Sequence, residues 1–280
     1  MEDHFSFCAY SENKIIAFVS ILKDSFDSEI FGIDIYKVNY ISIFEKSIDQ
    51  WESIVFEIMK HLHEIISIKK RNSYFLIGLN TNTQRNPLLM NLLINSGFYY
   101  VQTLLTYKML KNEYPSLTFN VNEEVTIREA KNSDVDDLMN LASKSFKYSR
   151  FHLDPFLNNE KANILLATSV KNSVMNKFVD IMYVSEFREK IVGYYSAKKR
   201  FIKEFNLTFG EAVISAVDEN YRGKGIFKAL NKSLIQWFYE NTDFAEMGTY
   251  IVNLPVHKTW SNNGLSIVRG IHQLAHYVPY

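Results

Sequence analysis

The stretch from Gly210 to Phe227 limits the fold more than any other part of this 280-residue chain. It reads Gly-Glu-Ala-Val-Ile-Ser-Ala-Val, then Asp-Glu-Asn-Tyr, then Arg-Gly-Lys-Gly, then Ile-Phe. The first part is a buried strand that ends at Val217. The last residues open an amphipathic helix over Ile226–Tyr239, with Ile226, Leu230, Leu234 and Trp237 on one face. Glycines let the backbone approach a ligand closely, and the first N–H groups of a helix have no internal partner. Strand, glycine-rich turn and helix start in this order make an anion site suited to a pyrophosphate. A Walker loop does not fit, because no Gly-Lys-Ser/Thr completes the spacing. A dinucleotide fingerprint does not fit either, since it needs a third glycine and a strand–helix–strand unit.

Around this run the chain divides in two. Lys111-Asn112-Glu113-Tyr114-Pro115-Ser116 is polar and carries a proline, so residues 111–123 are expected as a linker between domains at 1–110 and 124–280. Before it, strands are expected at Lys14–Leu22, Ile33–Ile41, Ser73–Leu79 and Phe98–Met109. Helices are expected at Ser47–Ile68, with Ser47 as N-cap, and at Asn86–Asn95, closed by Gly97. After it come a strand at Val125–Arg128 and helices at Asp134–Phe146 and Glu160–Val174. A hairpin follows at Lys177–Phe187 and Ile191–Phe201, then strands at Leu207–Val217 and Thr249–Asn253. A short helix at Val256–Asn262 and strands to the C-terminus complete the order. Asn86 to Gly97 and Asn253 to Gly264 share one spacing, each holding a short helix, a turn and a strand, which points to a duplicated half-domain.

Composition narrows the function. Lys+Arg and Asp+Glu are both 31, and a zero balance argues against a protein built to hold nucleic acid. The single cysteine, Cys8, leaves no internal disulfide and no multi-cysteine metal site. Met1-Glu2-Asp3-His4 has no basic n-region, and the apolar run Ile15–Leu22 is far short of the roughly 20 residues that span a bilayer. A cytoplasmic protein without nucleic-acid or membrane partners is therefore expected. The 21 Phe and 17 Tyr read as large core side chains.

The loop Arg222, Gly223, Lys224, Gly225, Ile226 resembles the acetyl-coenzyme A loop of the GNAT superfamily of N-acyltransferases. Its sixth position is Phe227 where the family has Gly or Ala, which is expected to crowd one side of the turn. A narrower resemblance, to two-domain nucleotide-sugar N-acetyltransferases of the dTDP-fucosamine type, rests on Asp27-Ser28-Glu29-Ile30-Phe31-Gly32, on Asn95-Ser96-Gly97-Phe98 and on Ser149 to Pro155. The resemblance implies an α/β (α+β) fold, with a mixed, mostly antiparallel sheet flanked by helices. It implies a smaller, degenerate GNAT-like domain ahead of the acyltransferase domain. It implies acetyl-CoA or another acyl-CoA as co-substrate and a small-molecule acceptor, the amino group of a nucleotide-linked deoxy amino sugar for a surface glycan. A peptide or other small amine as acceptor, a silent acyl-CoA-binding module, and a homodimer remain open alternatives.

By the same resemblance Ala216 and Val217 would meet the pantetheine. Arg222, Gly223, Lys224, Gly225, Ile226 and Phe227 would hold the pyrophosphate, and Asn253 would lie near the thioester. Arg150, His152 and Asp154 would border the acceptor. Acyl transfer needs a neutral amine and a proton for the leaving thiolate. Glu211, eleven positions before the loop arginine, and His257, four after Asn253, are candidates. Trp260, expected among the cofactor-binding residues, stands where the sugar acetyltransferases carry an acidic Tyr, so Tyr250, His257 or Tyr277 would supply the proton, or the thiolate would leave unprotonated. His272 and His276 are four apart on an expected strand, a poor spacing for a metal pair, and no metal is expected.

Overall fold

The computed structural model describes residues 3–45, 47–81, 86–111 and 124–280. Residues 112–123 of the expected linker lie outside the described residues. The chain forms two compact units. One holds residues 1–104 together with Leu153–Asn158 and Arg269–Tyr280; the other holds Leu105–His152 and Asn159–Val268. The sequence reading placed everything after the linker in one domain. Two later segments instead belong with the N-terminal unit, and Leu105–Leu110 belongs with the second.

The first unit starts with an antiparallel meander of β1 (His4–Ser11), β2 (Lys14–Lys23) and β3 (Asp34–Ile43). Between β2 and β3 lies α1 (Ser25–Phe31), which the sequence reading did not contain. This helix accounts for the Asp27–Gly32 signature. Asp24 caps it by accepting from the Asp27 N–H, the Ser28 hydroxyl accepts from the Ile35 N–H at 2.8 Å, and Gly32 ends it at φ 69°. A 3-10 turn (Ile48–Gln50) leads into α2 (Trp51–Lys69), which returns the chain to β4 (Ser73–Asn80), parallel to β3. Ser47 was expected to cap this helix; its side chain makes no capping bond, and its N–H instead donates to Glu45. Then come α3 (Asn86–Asn95) and β5 (Tyr99–Leu110). The strand order is β1-β2-β3-β4-β11-β5, where β11 is Ser266–Val278, antiparallel to β4. The core joins Ile54, Val55, Ile58, Leu62 and Ile65 of α2 to Val19, Ile21, Phe75 and Ile77 of the sheet.

The second unit orders its strands β5-β10-β9-β8-β7-β6. These are β6 (Val125–Glu129), β7 (Ile181–Phe187), β8 (Lys190–Ile202), β9 (Leu207–Val217) and β10 (Phe244–Tyr250). The β7–β8 hairpin turns on Arg188 and Glu189, both at positive φ. Its helices are α4 (Val135–Ser145), α5 (Arg150–Leu153), α6 (Asn159–Met175), α7 (Ile226–Asn241) and α8 (Leu254–Asn262). Successive β7 side chains point to opposite faces, and they reach different cores. Ile181 and Tyr183 pack with α7, whereas Met182 and Val184 pack with α4 and α6. The sheet is therefore covered on both faces. On α7 the fourth face position belongs to Phe238, fully buried, while the expected Trp237 is only half-buried.

The two short helices end alike. After α3, the Phe98 N–H donates to Leu93 O (3.0 Å) and the Gly97 N–H to Ile94 O (3.1 Å); after α8, Leu265 donates to Trp260 O (3.1 Å) and Gly264 to Ser261 O (3.1 Å). Gly97 and Gly264 sit at φ 105° and 78°, as such a cap requires. The spacing read in the sequence is thus a repeated piece of backbone. It aligns Leu93 with Trp260, exposed by only 1% and 2%. Among the described residues no helix is long and apolar enough to cross a membrane.

Candidate functional site

The site is built where β9 ends. β10 runs parallel to β9 only over Phe209–Glu211, opposite Phe244–Glu246. Beyond Glu211 the two strands part, leaving half-buried residues from Ala212 to Ser215 without that neighbour. Ala216 and Val217 follow at the strand end, still paired to β8 through Tyr194 and Gly193.

The turn after Val217 is stiffened by its own side chains. The Asp218 carboxylate accepts from the Asn220 N–H at 3.0 Å and lies 3.5 Å from Lys190 Nζ. Burial opposes ionisation of Asp218, but the Asn220 bonds and Lys190 outweigh it and hold the carboxyl below its ordinary range. Arg222 reaches back across the turn, Nε donating to Val217 O (3.4 Å) and Nη2 to Ser145 O (3.2 Å), the last carbonyl of α4. Lys224 Nζ stands 4.9 Å from the Tyr221 ring centre and 5.1 Å from that of Phe187. Lys190 Nζ faces Tyr221 at 5.0 Å. These cations are held on aromatic faces beside the loop.

Gly223 and Gly225 both take positive φ, 79° and 81°. A Cβ built on either would meet nothing within 4 Å, so the concave side of the turn is open. Gly225 is the N-cap of α7, and no side chain caps the first N–H groups. The first N–H groups of the helix are therefore left with neither an internal partner nor a side-chain cap. Ile226 anchors the helix start in the core. Phe227, expected to crowd the turn, packs beside Tyr195 at 5.7 Å and joins the edge of the core.

The other expected residues are placed as follows. Asn253 caps the start of α8 through its backbone, and its Nδ2 donates to Thr249 Oγ1 at 2.9 Å. His257 is tied at both nitrogens: Nδ1 to the Tyr107 hydroxyl (2.9 Å) and Nε2 to the Tyr250 carbonyl (3.0 Å). The Tyr250 carbonyl is an acceptor only, so Nε2 carries the proton and Nδ1 accepts from Tyr107. Glu211 is exposed and paired with Lys198 at 3.3 Å, at the last position where β9 still pairs with β10. Trp260 is a correction. Its indole is in the core, edge-on to Tyr107, with Nε1 donating to buried Asn231 at 3.0 Å. The helix phase that places Leu93 inward in α3 places Trp260 inward here.

The residues expected at the acceptor fall in both units. His152 bonds Ser149 (2.6 Å) and Asn163 (2.9 Å) in the second unit. Arg150, buried, lies over the ring of Phe151 at 3.8 Å. Asp154 belongs to the first unit, where its buried carboxylate accepts from Tyr74 (2.7 Å), Tyr99 (3.0 Å) and the Phe156 N–H (2.9 Å). In that unit Tyr277 stacks on Phe156 (4.9 Å), His272 bonds Thr103 (2.8 Å), and His276 bonds the Gly97 carbonyl (2.8 Å). Sequence reading missed Tyr107, Lys190 and Tyr221. Only proximity in the fold links them to the loop or to His257, and no local pattern marks them.

No family model matches the sequence, and no curated protein matches it. Solved structures do match. A GCN5-related N-acetyltransferase from Sphaerobacter thermophilus superposes with a TM-score of 0.64 at 11% identity, over 96% of this chain and 79% of that one. A tandem GNAT protein from the clavulanic acid biosynthesis pathway gives 0.61 at 9% identity, over 100% and 84%. A GNAT-family acetyltransferase from Colwellia psychrerythraea gives 0.56 at 11% identity, over 97% and 85%. The chain thus has the mixed, mostly antiparallel fold of the GCN5-related N-acetyltransferase structures, the tandem one included.

Proposed function

We propose that the protein transfers an acyl group from acyl-coenzyme A to an amine, and that the turn from Arg222 to Phe227 binds the pyrophosphate. One observation carries this reading. Two left-handed glycines with open space above them lead into an uncapped helix, at the end of a strand that has just parted from its neighbour. Backbone N–H groups and the helix dipole favour an anion there, with Arg222, Lys224 and Lys190 alongside. The parted strand, Ala212–Val217, offers its backbone to the amides of pantetheine, and Asn253 begins α8 on the far side of the gap. The amine nitrogen attacks the thioester carbon, the C–S bond breaks, and the amine's proton balances the thiolate released. Such a protein draws on the cytoplasmic acyl-CoA pool.

For the acceptor we propose the amino group of a nucleotide-linked deoxy amino sugar. Its support is the sequence resemblance; His152 and Asp154 are occupied by internal bonds. A second reading is favoured by the candidates for proton transfer: Glu211 is ion-paired, His257 is bonded at both nitrogens and Trp260 is buried. That reading is an acyl-CoA-binding protein without turnover. Calorimetry with acetyl-CoA, followed by thiol release with nucleotide amino sugars, polyamines and peptides, separates the cases. Binding with sugar-dependent thiol release is expected. Binding without release from any amine supports the second reading, and absence of binding overturns both.

A further inference from the structure

The β8–β9 hairpin carries a feature that acyl transfer does not use. Between Lys198 and Leu207 the sequence is Lys-Lys-Arg-Phe-Ile-Lys-Glu-Phe-Asn-Leu, four cations against one carboxylate, in a chain whose net charge is zero. Its tip is closed by Phe205 N–H to Ile202 O (3.2 Å) and Asn206 N–H to Lys203 O (3.3 Å), with Asn206 at φ 51°. Phe201 is 57% exposed, Phe205 72% and Leu207 39%. Phe178, 60% exposed, lies under Lys198 Nζ at 5.3 Å.

Lys198 pairs with Glu211, the Asp180 carboxylate accepts the Lys199 N–H, and opposite Phe201 the Asp243 carboxylate accepts the Thr208 N–H. Lys199 bonds Asn241, Arg200 stacks on Phe209 at 5.1 Å, and among the described residues none forms an ion pair with Lys199, Arg200 or Lys203. Cross-strand neighbours share a face, so Arg200, Ile202 and Leu207 line one side and Lys199, Phe201 and Thr208 the other. Each side thus presents at least one cation with an apolar side chain, and Phe205 stands at the apex. A flat protein partner would meet one face only. A tip with cations and apolar side chains on both faces fits a surface it can enter, apolar just below a layer of anions.

We propose that this hairpin docks the protein on an anionic lipid surface, with Phe201 and Phe205 entering the interface and Arg200 and Lys203 meeting the headgroup phosphates. Among the described residues no helix is long and apolar enough to cross the bilayer, and the docking proposed is to its surface. The tip lies at the start of β9 and the glycine turn follows its end, ten residues or about 33 Å of strand away, so docking leaves the turn free.

The test is flotation of the full-length protein with phosphatidylcholine vesicles, with and without phosphatidylglycerol. Binding is expected with phosphatidylglycerol, falling as salt rises. Phe201→Ser with Phe205→Ser should weaken it about ten-fold or more, each loss being a buried aromatic side chain. Arg200→Glu with Lys203→Glu should weaken it by about ten-fold or more, while acetyl-CoA affinity stays level. Phe205→Trp should shift its fluorescence to the blue on the vesicles and be quenched by brominated lipid. The proposal fails if vesicles do not bind, if phosphatidylglycerol makes no difference, or if the Phe substitutions leave binding intact. It also fails if duplex DNA binds as tightly, with no effect of those Phe changes, which would mark a general polyanion surface.

Discussion

The two units run the same strand–helix–strand crossover and finish it differently. In the first, β3 leads through Phe44, Glu45 and the 3-10 turn into α2 and on to parallel β4. In the second, β9 leads through the glycine turn into α7 and on to parallel β10. The first connection contains no glycine. Glu45 accepts from the Ser47 N–H at 2.9 Å, its carbonyl takes the Trp51 indole at 3.1 Å, and Asp49 adds a second acid to the first turn. An anion there would meet carboxylates and an indole. The second connection has two glycines at positive φ and two cations of its own, Arg222 and Lys224, with Lys190 of β8 beside it, and its acids are already engaged, Asp218 by Asn220 and Lys190 and Glu219 by Lys147. The topology is common to both, so the phosphate cradle proposed for the second unit rests on its turn residues and not on the fold.

The largest expected effect tests how far the likeness extends into the short helices. If Trp260 does for α8 what Leu93 does for α3, then Trp260→Ala should cost about 3–5 kcal/mol of stability, as large aromatic truncations in cores do. Leu93→Ala should cost about 2–5 kcal/mol. Chemical denaturation measures both. A Trp260→Ala protein that melts like the parent but loses acetyl-CoA affinity would return Trp260 to the binding site and end the correspondence.

The next effect separates the two crossovers. Gly225→Val puts branched carbon into the open space of the turn and should weaken acetyl-CoA binding by about 100-fold, roughly 2.7 kcal/mol. Its positive φ adds strain of about 1–3 kcal/mol, so calorimetry is run well below the melting midpoint. Glu45→Ala, in the corresponding place of the first unit, should leave that affinity unchanged. Wild-type affinity in Gly225→Val, or lost affinity in Glu45→Ala, would show that the cradle has been assigned to the wrong turn.

Much of this was legible before any coordinates. The α2 and α7 faces follow from residues every three or four positions, and the glycine turn from residue types that tolerate positive φ. What the sequence hid was mostly relational. β11 completes the first unit although it is the last strand of the chain, because pairing partners far apart in sequence leave no local mark. Trp260 looked like a substituted acid because a motif position was compared and burial was not. Asp27–Gly32 carries a family resemblance in the sequence, and in the fold its Ser28 and Gly32 build and stop a seven-residue helix. Arg150, His152 and Asp154 are neighbours in sequence, yet Asp154 turns to Tyr74 and Tyr99. Spacing shows which residues could share a face and not which bonds they already hold.

A smaller effect distinguishes the bonds of His257 from a catalytic role. Removing the imidazole leaves the buried Tyr107 hydroxyl without its acceptor, so His257→Ala should cost about 1–3 kcal/mol in stability. His257→Gln can accept from Tyr107 and should recover part of that loss. If His257 only holds the turn, thiol release per folded molecule stays within a few-fold in both variants. A loss of about 100-fold that Gln does not rescue would make His257 an acid–base participant.

The smallest effect concerns the cap turns themselves. The two turns match in backbone, yet only in the first unit does an imidazole hold the glycine carbonyl: His276 Nδ1 donates to Gly97 O at 2.8 Å. The ring stacks on Phe98 at 5.2 Å and meets the edge of His63 at 5.8 Å. Burial lowers the affinity of His276 for a second proton, and His63 adds to that, while the bond to Gly97 works the other way. The folded pKa therefore lies below the usual 6.5, and the unfolded chain binds more protons in the window below that value. The contribution to stability is complete above about pH 6.5 and is lost as pH falls through the window towards the folded pKa. The slope for one proton cannot exceed about 1.4 kcal/mol per pH unit. His276→Asn can keep a donor for Gly97 but cannot titrate, so denaturation midpoints measured from pH 7.5 down to 5 should fall less in this variant than in the parent. Parallel curves would mean that acid acts elsewhere, and that the first unit's cap turn is no more sensitive to protons than its counterpart at Gly264.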